Sequence, residues 1–492
     1  MTLNNSFDEP LFYVDLKKKT PVTIRQAFEG ISIFGGTGSG KTTGSGKTIA
    51  LSMLRKNWGG LVLTVKPDEI ANWDNYAKIT GRSHDLVVID EHCKNTIDLF
   101  YYEYQKNGQR ITFTQEMVAI LNAAMAGGQE IRQSKDPFWD DAPRNFLINA
   151  IDLAVIANKR LRMSDLVDIM RCAPINEQDA KSWRECINTC YHTEPTKEQI
   201  DKWRKNIWWK LLCMVSSGMK NKSPEKEVDW FETYNYWTKE FPTYTERLRA
   251  NLLTVVMSRL SGLLRSPYRQ LFTEKTNIRP EDTFGRNKQE NGGFASGKII
   301  VLDLPIKKYE ETGCFAQVLF KQIWQHAVEQ RGCSGNPVFL WADESQYFVT
   351  KQDMLFQQTA RASRVATVYL SQSIANYKAA LGDTANSTNI TDSLLGNFQT
   401  MIFHANGCPV TNEYAERVFG QKQTALPHVL YGHGAENVPM DLRLEYHSVL
   451  HSNDFVRLKK GGQINEGIVE GYMFQAGRAD YELCEFQQRE NQ

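Results

Sequence analysis

Short, unbroken apolar runs open this chain and return towards its end, with a long helical stretch between them. Ile31-Ser32-Ile33-Phe34 reads as a short buried strand, and Leu61 to Val65 and Leu86 to Ile89 are two more short, continuous apolar runs, the signature of strands buried on both faces of a parallel sheet. Thr48 to Lys56 between the first two fits a helix, which makes a β-α-β beginning. Residues up to Thr20 read as an extended tail or edge strand, ending in the basic run Lys17 to Lys19.

The period then lengthens. Met117, Ile120, Leu121, Ala124 and Met125 mark one amphipathic helix face, closed by Gly127-Gly128, and Phe146, Ile148, Ile151, Leu153 and Ile156 belong to another helix. Residues 176 to 266 continue in the same manner with clustered Trp residues. Strand signals come back at Lys298 to Leu302, Val338 to Ala342, Ala366 to Leu370, Thr400 to Phe403 and Gly467 to Phe474, and Gly285 to Gly297 reads as a polar surface loop. The expected fold class is α/β, a mostly parallel sheet flanked by helices and split by a large all-α insertion. The expected division is a tail at 1–20, a first core part at 21–110, an all-α domain at 111–285 and a second core part at 286–492.

A length of 492 residues exceeds one ordinary domain. With 41% hydrophobic and 23% charged residues the composition is globular, which excludes a disordered chain. A net charge of +1 excludes coating of nucleic acid by gross charge, so any DNA contact has to be local, in a groove or a central pore. Nine cysteines without a regular framework point to a reducing environment. No apolar run is long enough to cross a bilayer, and Met1 to Pro10 is neither a signal nor a transit sequence, so a soluble protein is expected.

The glycine-rich segment after the first strand carries the chemistry. Gly35-Gly36-Thr37-Gly38-Ser39-Gly40-Lys41-Thr42 fits G-x-x-x-x-G-K-[ST] at every fixed position and lies between a strand and a helix. Its glycines let backbone N–H groups and the helix N-terminus face phosphates. Lys41 is placed to bridge the β- and γ-phosphates of ATP, and Thr42 to ligate Mg²⁺. Gly-Ser-Gly-Lys-Thr recurs at 44 to 48, but the first glycine of a motif built on Lys47 would fall at Lys41, and no strand precedes it. Register therefore selects Lys41, leaving Lys47 in the first or second helical turn.

Val338 to Ala342 ends in Asp343-Glu344, an apolar strand tipped by two carboxylates. Asp343 suits a Mg²⁺ held through water, and Glu344 suits orientation and polarisation of the attacking water. Downstream, Arg361-Ala-Ser-Arg364 leads into a strand that ends at Ser371-Gln372-Ser373. A polar residue at that tip can sense the γ-phosphate, and Arg361 or Arg364 can serve a neighbouring subunit as an arginine finger, or both can be ordinary helix-end arginines.

Taken in order, these segments resemble the coupling-protein ATPases of type IV secretion and conjugation, within the FtsK–HerA group of hexameric motors. The resemblance runs from about Thr20 to Phe486 and rests on Phe34 to Thr43, Gly60 to Glu69, Asp136-Pro-Phe-Trp139, Gly297 to Asp303 and Trp341 to Glu344, then Arg361 to Gln372, and Asp454-Phe455 through Gly477-Arg478. It implies a RecA-like core with an all-α insertion, a homo-hexameric ring with ATP and Mg²⁺ at subunit interfaces, and single- or double-stranded DNA moved through the channel. It implies that Arg361 is the trans-acting arginine and Gln372 the sensor, with the P-loop Gly35 to Thr43 around the nucleotide. Lys66 and Asp68 fall where related sequences place polar residues at a strand tip near the nucleotide. Membrane-bound coupling proteins carry N-terminal transmembrane helices, which this sequence lacks. The expectation is a cytoplasmic protein, either recruited by a partner to the inner face of the membrane or serving another DNA-processing system, with relaxase or secretion-channel partners.

Other signals are weaker. Cys186-x-x-x-Cys190 with His192 and Cys172 lacks standard zinc spacing and reads as thiols of a helical region. Asp201 to Lys210 mixes basic and aromatic residues, which suits strand backbone and base stacking, but at helical spacing its Trp residues read as core. Two alternatives to a DNA motor stand beside it: an ATPase that moves protein, and a nucleotide-controlled docking platform with little turnover.

Overall fold

The computed structural model describes residues 5–107, 110–126, 138–157, 161–192, 196–204, 207–218, 224–273, 276–285, 295–381, 385–429, 440–478 and 481–488. The helix stop at Gly127-Gly128, the segment Asp136-Pro-Phe-Trp139 and most of the loop expected from Gly285 to Gly297 fall outside the described residues or side chains, as do the side chains of Cys190 and His192.

The chain enters through an antiparallel pair, β1 (Pro10–Tyr13) and β2 (Pro21–Thr23). Leu11, Phe12 and Val14 are buried, and the Val14 carbonyl accepts the Glu485 N–H at 2.9 Å. Within the segment expected as a tail or edge strand, Asn5–Asp8 is a 3-10 turn and Pro10–Tyr13 is strand, and Val14 ties it to the last strand of the main sheet. Next come α1 (Ile24–Ala27), β3 (Ile31–Phe34), α2 (Lys47–Arg55), β4 (Gly59–Leu63), α3 (Glu69–Ile79) and β5 (Leu86–Ile89). Ten helices follow among the described residues: α4 (Leu99–Asn107), α5 (Arg110–Ala126), α6 (Phe138–Ile156), α7 (Met163–Arg171), α8 (Glu177–His192), α9 (Lys197–Arg204), α10 (Ile207–Gly218), α11 (Pro224–Asn235), α12 (Glu246–Leu263) and α13 (Tyr268–Thr273). The sheet resumes with β6 (Ile299–Leu302), α14 (Ile306–Arg331), β7 (Val338–Ala342), α15 (Lys351–Ala360), β8 (Val365–Ser371), α16 (Ile374–Ala380), α17 (Ala385–Gly396) and β9 (Thr400–His404). After α18 (Pro409–Phe419), β10 (Gln421–Val429) and β11 (Met440–Ser448) make a separate hairpin, and β12 (Ile468–Gln475) and β13 (Glu482–Gln487) complete the main sheet.

The main sheet has nine strands in the order β13-β12-β9-β3-β8-β7-β4-β6-β5. From β9 to β5 every pairing is parallel; β12 and β13 run antiparallel at one edge. Every residue of β3, β4, β6, β7, β8 and β9 is buried, which is why these strands read as apolar runs without alternation. Successive side chains still part to opposite faces. Ile33, Val62, Phe339, Trp341 and Leu370 join one core under α2 and α3, where Trp73 stacks on Phe339 at 5.5 Å. Phe34, Leu61, Leu63, Leu340 and Tyr369 join the other.

That second core runs without a break into the helical stretch, as far as Trp183 and Trp208, whose rings stack at 3.9 Å. Trp208 is fully buried and its indole N–H donates to the Ile169 carbonyl at 2.6 Å. This Trp of the basic–aromatic segment is packed core and does not form a base-stacking platform. Cys186 is buried as well. No helix among the described residues is long and apolar enough to cross a membrane.

One buried ion pair braces the loop behind the β7 tip. Lys321 of α14 reaches Asp353 of α15 at 2.5 Å and the Phe348 carbonyl at 2.6 Å, and its side chain is wholly buried. Asp353 also accepts from Thr350 N–H (2.7 Å), Gln325 (2.9 Å) and the Tyr369 hydroxyl (3.0 Å). Burial pulls the Lys321 amine down from its ordinary value, and Asp353 opposes this. Removing one member of such a pair leaves a buried charge without its partner. Lys321→Met is expected to lower unfolding free energy by roughly 3–5 kcal/mol, read from urea denaturation of the two proteins.

Candidate functional site

Parallel register brings three strand tips together. Phe34 of β3 pairs with Ser371 of β8, and Ala342 of β7 pairs with Tyr369. The chain leaves β3 at Gly35, whose N–H donates to the Ser371 carbonyl at 3.3 Å, while the Gly36 N–H donates to the Ala405 carbonyl at 2.9 Å. The loop then needs left-handed backbone at Gly38 (φ 71°) and Gly40 (φ 83°), which glycine adopts without steric cost. Gly40 has a second reason: an added Cβ would lie 2.5 Å from the Val469 side chain. Thr37 and Gly38 face solvent, whereas Ser39 and Lys41 are buried.

Lys41 lies between the two carboxylates at the β7 tip. Its ammonium is 3.3 Å from Glu344 Oε1 and 3.9 Å from Asp343 Oδ1, with Lys41, Asp343 and Glu344 each 7% exposed or less. The Thr42 hydroxyl donates to Asp343 Oδ2 at 2.7 Å. Gln372 donates to Glu344 Oε1 at 3.0 Å and accepts from the Thr37 hydroxyl at 3.4 Å. Gln346 donates to Glu344 Oε2 at 3.1 Å and is itself held by the Ser371 hydroxyl at 2.9 Å. Burial alone would raise the Glu344 carboxyl; the Lys41 charge and the two amide donors outweigh it and hold it below its ordinary value. Glu344 also adopts left-handed backbone (φ 50°, ψ 47°), a strained conformation of the kind that gathers at functional sites.

The remaining sequence candidates are spread around this cluster. Lys66 follows the β4 tip, close enough for its charge to act on Glu344 and Glu69. Asp68 stands exposed at the start of α3 and makes no side-chain cap bond. Thr43 is exposed and accepts from Gln488 at 2.6 Å. Arg361 is not part of the cluster: it closes α15, 57% of its side chain is exposed, and it pairs with Glu29 at 3.1 Å. Arg364 has φ 55° and its guanidinium lies 5.0 Å from the Phe7 ring centroid, a packing contact. Lys47 is the first residue of α2.

Two groups had no signal in the sequence strong enough to name them. Glu69 accepts the Val65 and Lys66 N–H groups at 3.0 and 3.2 Å. Burial first, then the Asp343 charge, push its carboxyl up to about 8. His404, at the end of β9, is fully buried; Nδ1 lies 2.7 Å from the Glu470 carbonyl and Nε2 2.7 Å from the Ser45 hydroxyl. A carbonyl only accepts, so the proton sits on Nδ1 and Nε2 accepts from Ser45. The one hint in the sequence was a histidine ending an apolar strand.

The donor set suits a hard divalent cation. A threonine hydroxyl and a carboxylate meet at 2.7 Å beside an ammonium, with open space over Gly38; oxygen ligands of this kind are those Mg²⁺ takes. The fold places the cluster at the carboxyl ends of parallel strands, the position at which open α/β sheets bind ligands.

This is a RecA-like P-loop fold. No protein-family model matches the sequence, and neither does any curated protein. Solved structures do match over the whole chain. The unbound bacterial conjugative coupling protein TrwBdeltaN70 is 11% identical, with 99% of this chain and 90% of that one covered and a TM-score of 0.57. Plasmid coupling protein TrwB in complex with ADP and Mg²⁺ is 12% identical over 99% and 91%, with a TM-score of 0.56. VirB4 of Thermoanaerobacter pseudethanolicus is 12% identical over 99% and 98%, with a TM-score of 0.52. At this identity the likeness establishes the shared fold.

Burial, with a smaller push from the Lys41 charge, pulls the His404 imidazole down to about 4 from 6.5. A depressed folded value means that between these two values the unfolded chain binds the extra proton. Stability is therefore intact above pH 6.5 and is lost as pH falls towards 4, by about 3 kcal/mol in all. Urea denaturation across that range is expected to give wild type a steeper loss than His404→Leu.

Proposed function

We propose that this chain is an ATP-hydrolysing motor of the type IV secretion and conjugation class, which moves DNA through a homo-hexameric ring. The observation that carries the reading is the Lys41 ammonium held between Asp343 and Glu344, with Thr42 bonded to Asp343, at the tip of a RecA-like sheet. The likeness to TrwB, a coupling protein whose structures include complexes with ADP and Mg²⁺ and with a non-hydrolysable ATP analogue, supports the same nucleotide here.

In this reading backbone N–H groups of the loop that ends at Lys41 and Thr42 face the β- and γ-phosphates, the Gly36 N–H being taken by the Ala405 carbonyl, and Lys41 turns from Glu344 to the phosphate oxygens. Thr42 and Asp343 would hold Mg²⁺, which supplies charge neutralisation on the phosphate oxygens. Glu344, released from Lys41, accepts a proton from the water that attacks the γ-phosphorus, while Gln372 fixes the carboxylate and reads the phosphate. Gly35, Thr43, Lys66 and Asp68 complete the rim. Arg361 serves the site of the next subunit, because it cannot serve its own: the six residue steps of β8 put about 20 Å between Val365, beyond which Arg361 lies, and Ser371, which precedes Gln372. Residues 111–285 act as an all-α domain on the RecA-like core. The protein works in the cytoplasm, at the inner face of the membrane through relaxase or secretion-channel partners.

Steady-state ATPase activity with and without single- and double-stranded DNA tests this. DNA is expected to stimulate turnover, Lys41→Ala to abolish it, and Glu344→Gln to lower kcat by about a hundredfold or more. Turnover that needs Lys41 but ignores DNA would favour a protein-moving ATPase. Glu344→Gln turning over at the wild-type rate would remove Glu344 as the base.

A further inference from the structure

The second Gly-Ser-Gly-Lys-Thr, left over once Lys41 is taken as the phosphate lysine, has a structural place of its own. Residues 42 to 46 form a single wide turn before α2: the Gly46 N–H donates to the Lys41 carbonyl at 2.9 Å, five residues back. Such π-type turns insert one residue into a helix and are frequent at functional sites. Here the extra residue sets how the loop carrying Lys41 and Thr42 joins the helix behind it.

Every small residue of the repeat is used. Gly44 packs on Val469, where an added Cβ would come within 3.1 Å, and at Gly46 one would lie 3.0 Å from the Lys41 carbonyl oxygen. Ser45 is fully buried, donates to His404 Nε2 at 2.7 Å and lies 3.2 Å from the same Lys41 carbonyl. His404 in turn donates from Nδ1 to the Glu470 carbonyl at 2.7 Å. Its neighbours complete a shelf under the loop: the Ala405 carbonyl takes the Gly36 N–H at 2.9 Å, and Asn406 donates to the Gln372 carbonyl at 2.8 Å.

We infer that Ser45 and His404 are a positioning pair, which holds the phosphate loop in its nucleotide-ready shape by tying the wide turn to the C-terminal strands β9 and β12. The inference rests on the nucleotide reading of the site given above. Neither residue touches the nucleotide. Their effect is to keep the loop preorganised, so that phosphates meet N–H groups already in place. Bound phosphates impose the same loop shape themselves, so loss of the pair weakens binding and leaves the bound complex able to turn over.

The test is a double-mutant cycle of Ser45→Ala, His404→Leu and the double variant, measured as KM and kcat for Mg-ATP and as melting temperature, with Lys41→Ala as the no-turnover control. Each single variant is expected to raise KM about tenfold with kcat within twofold of wild type. The double variant is expected to stay within about threefold of either single one, as two ends of one hydrogen bond should. An unchanged KM in Ser45→Ala, multiplicative effects in the double variant, or a fall in melting temperature with KM unmoved would overturn the pairing. Ser45→Ala removes a single oxygen, so it keeps the test decisive even where His404→Leu fails to fold. Wild type that neither binds nor hydrolyses ATP would instead overturn the nucleotide reading, and this inference with it.

Discussion

Three charges out of water govern this structure: the ammonium of Lys41 and the carboxylates of Asp343 and Glu344. Isolated ions in such a place cost several kcal/mol each, and only mutual pairing with further hydrogen bonds makes them tolerable. The sheet order puts β8 between β3 and β7 and aligns their tips, so the loop after β3 and the acidic tip of β7 meet above β8. Gln372, leaving β8, fills the remaining gap by bonding Glu344. In the proposed function a ligand with phosphate groups would compete for Lys41 and free the Glu344 carboxylate, which the Lys41 charge and two amide donors hold below its ordinary value.

Such a cluster needs rigid support, and the support lies on its buried side. Lys321 and Asp353 fix the turn from Ser345 to Thr350 that follows the two carboxylates. His404, Ser45 and Val469 fix the turn that follows Lys41. The Lys321–Asp353 and Ser45–His404 pairs are buried polar groups with their bonds made, the condition under which such groups specify one arrangement. The solvent side, Thr37 and Gly38, is open by comparison.

How much of this the sequence disclosed follows from range. Ile31 to Phe34 and Val338 to Ala342 were readable to the residue, because burial on both faces leaves a mostly apolar run; Leu86 to Ile89 was readable from its four apolar residues, although this edge strand is only partly buried. Leu61 to Val65 was read too far: β4 ends at Leu63, since Gln317 takes the Thr64 N–H and Glu69 takes that of Val65, which ends the ladder. The hairpin of β10 and β11 was not seen. Gln421, Lys422 and Gln423 face water without alternation, so no apolar period marks them. Lys41, Thr42, Asp343 and Glu344 were legible because their spacing within each motif is local. His404 was not, since its partner Ser45 is 359 positions away and only the fold joins them.

Arg361 shows where sequence order and spatial function part. From Glu344 the chain turns past the Lys321–Asp353 brace, runs out along α15 to Arg361, and comes back along β8 to Gln372. One excursion thus carries the candidate base, the candidate finger and the candidate sensor, with the first and last bonded to each other at 3.0 Å and the middle one at the opposite end of the strands. Its guanidinium is free to swing from Glu29, being mostly exposed. A finger role for Arg361 and an assembled ring are therefore one claim: in a lone copy it stands at the wrong end of the sheet, and only a second copy can bring its own site to it.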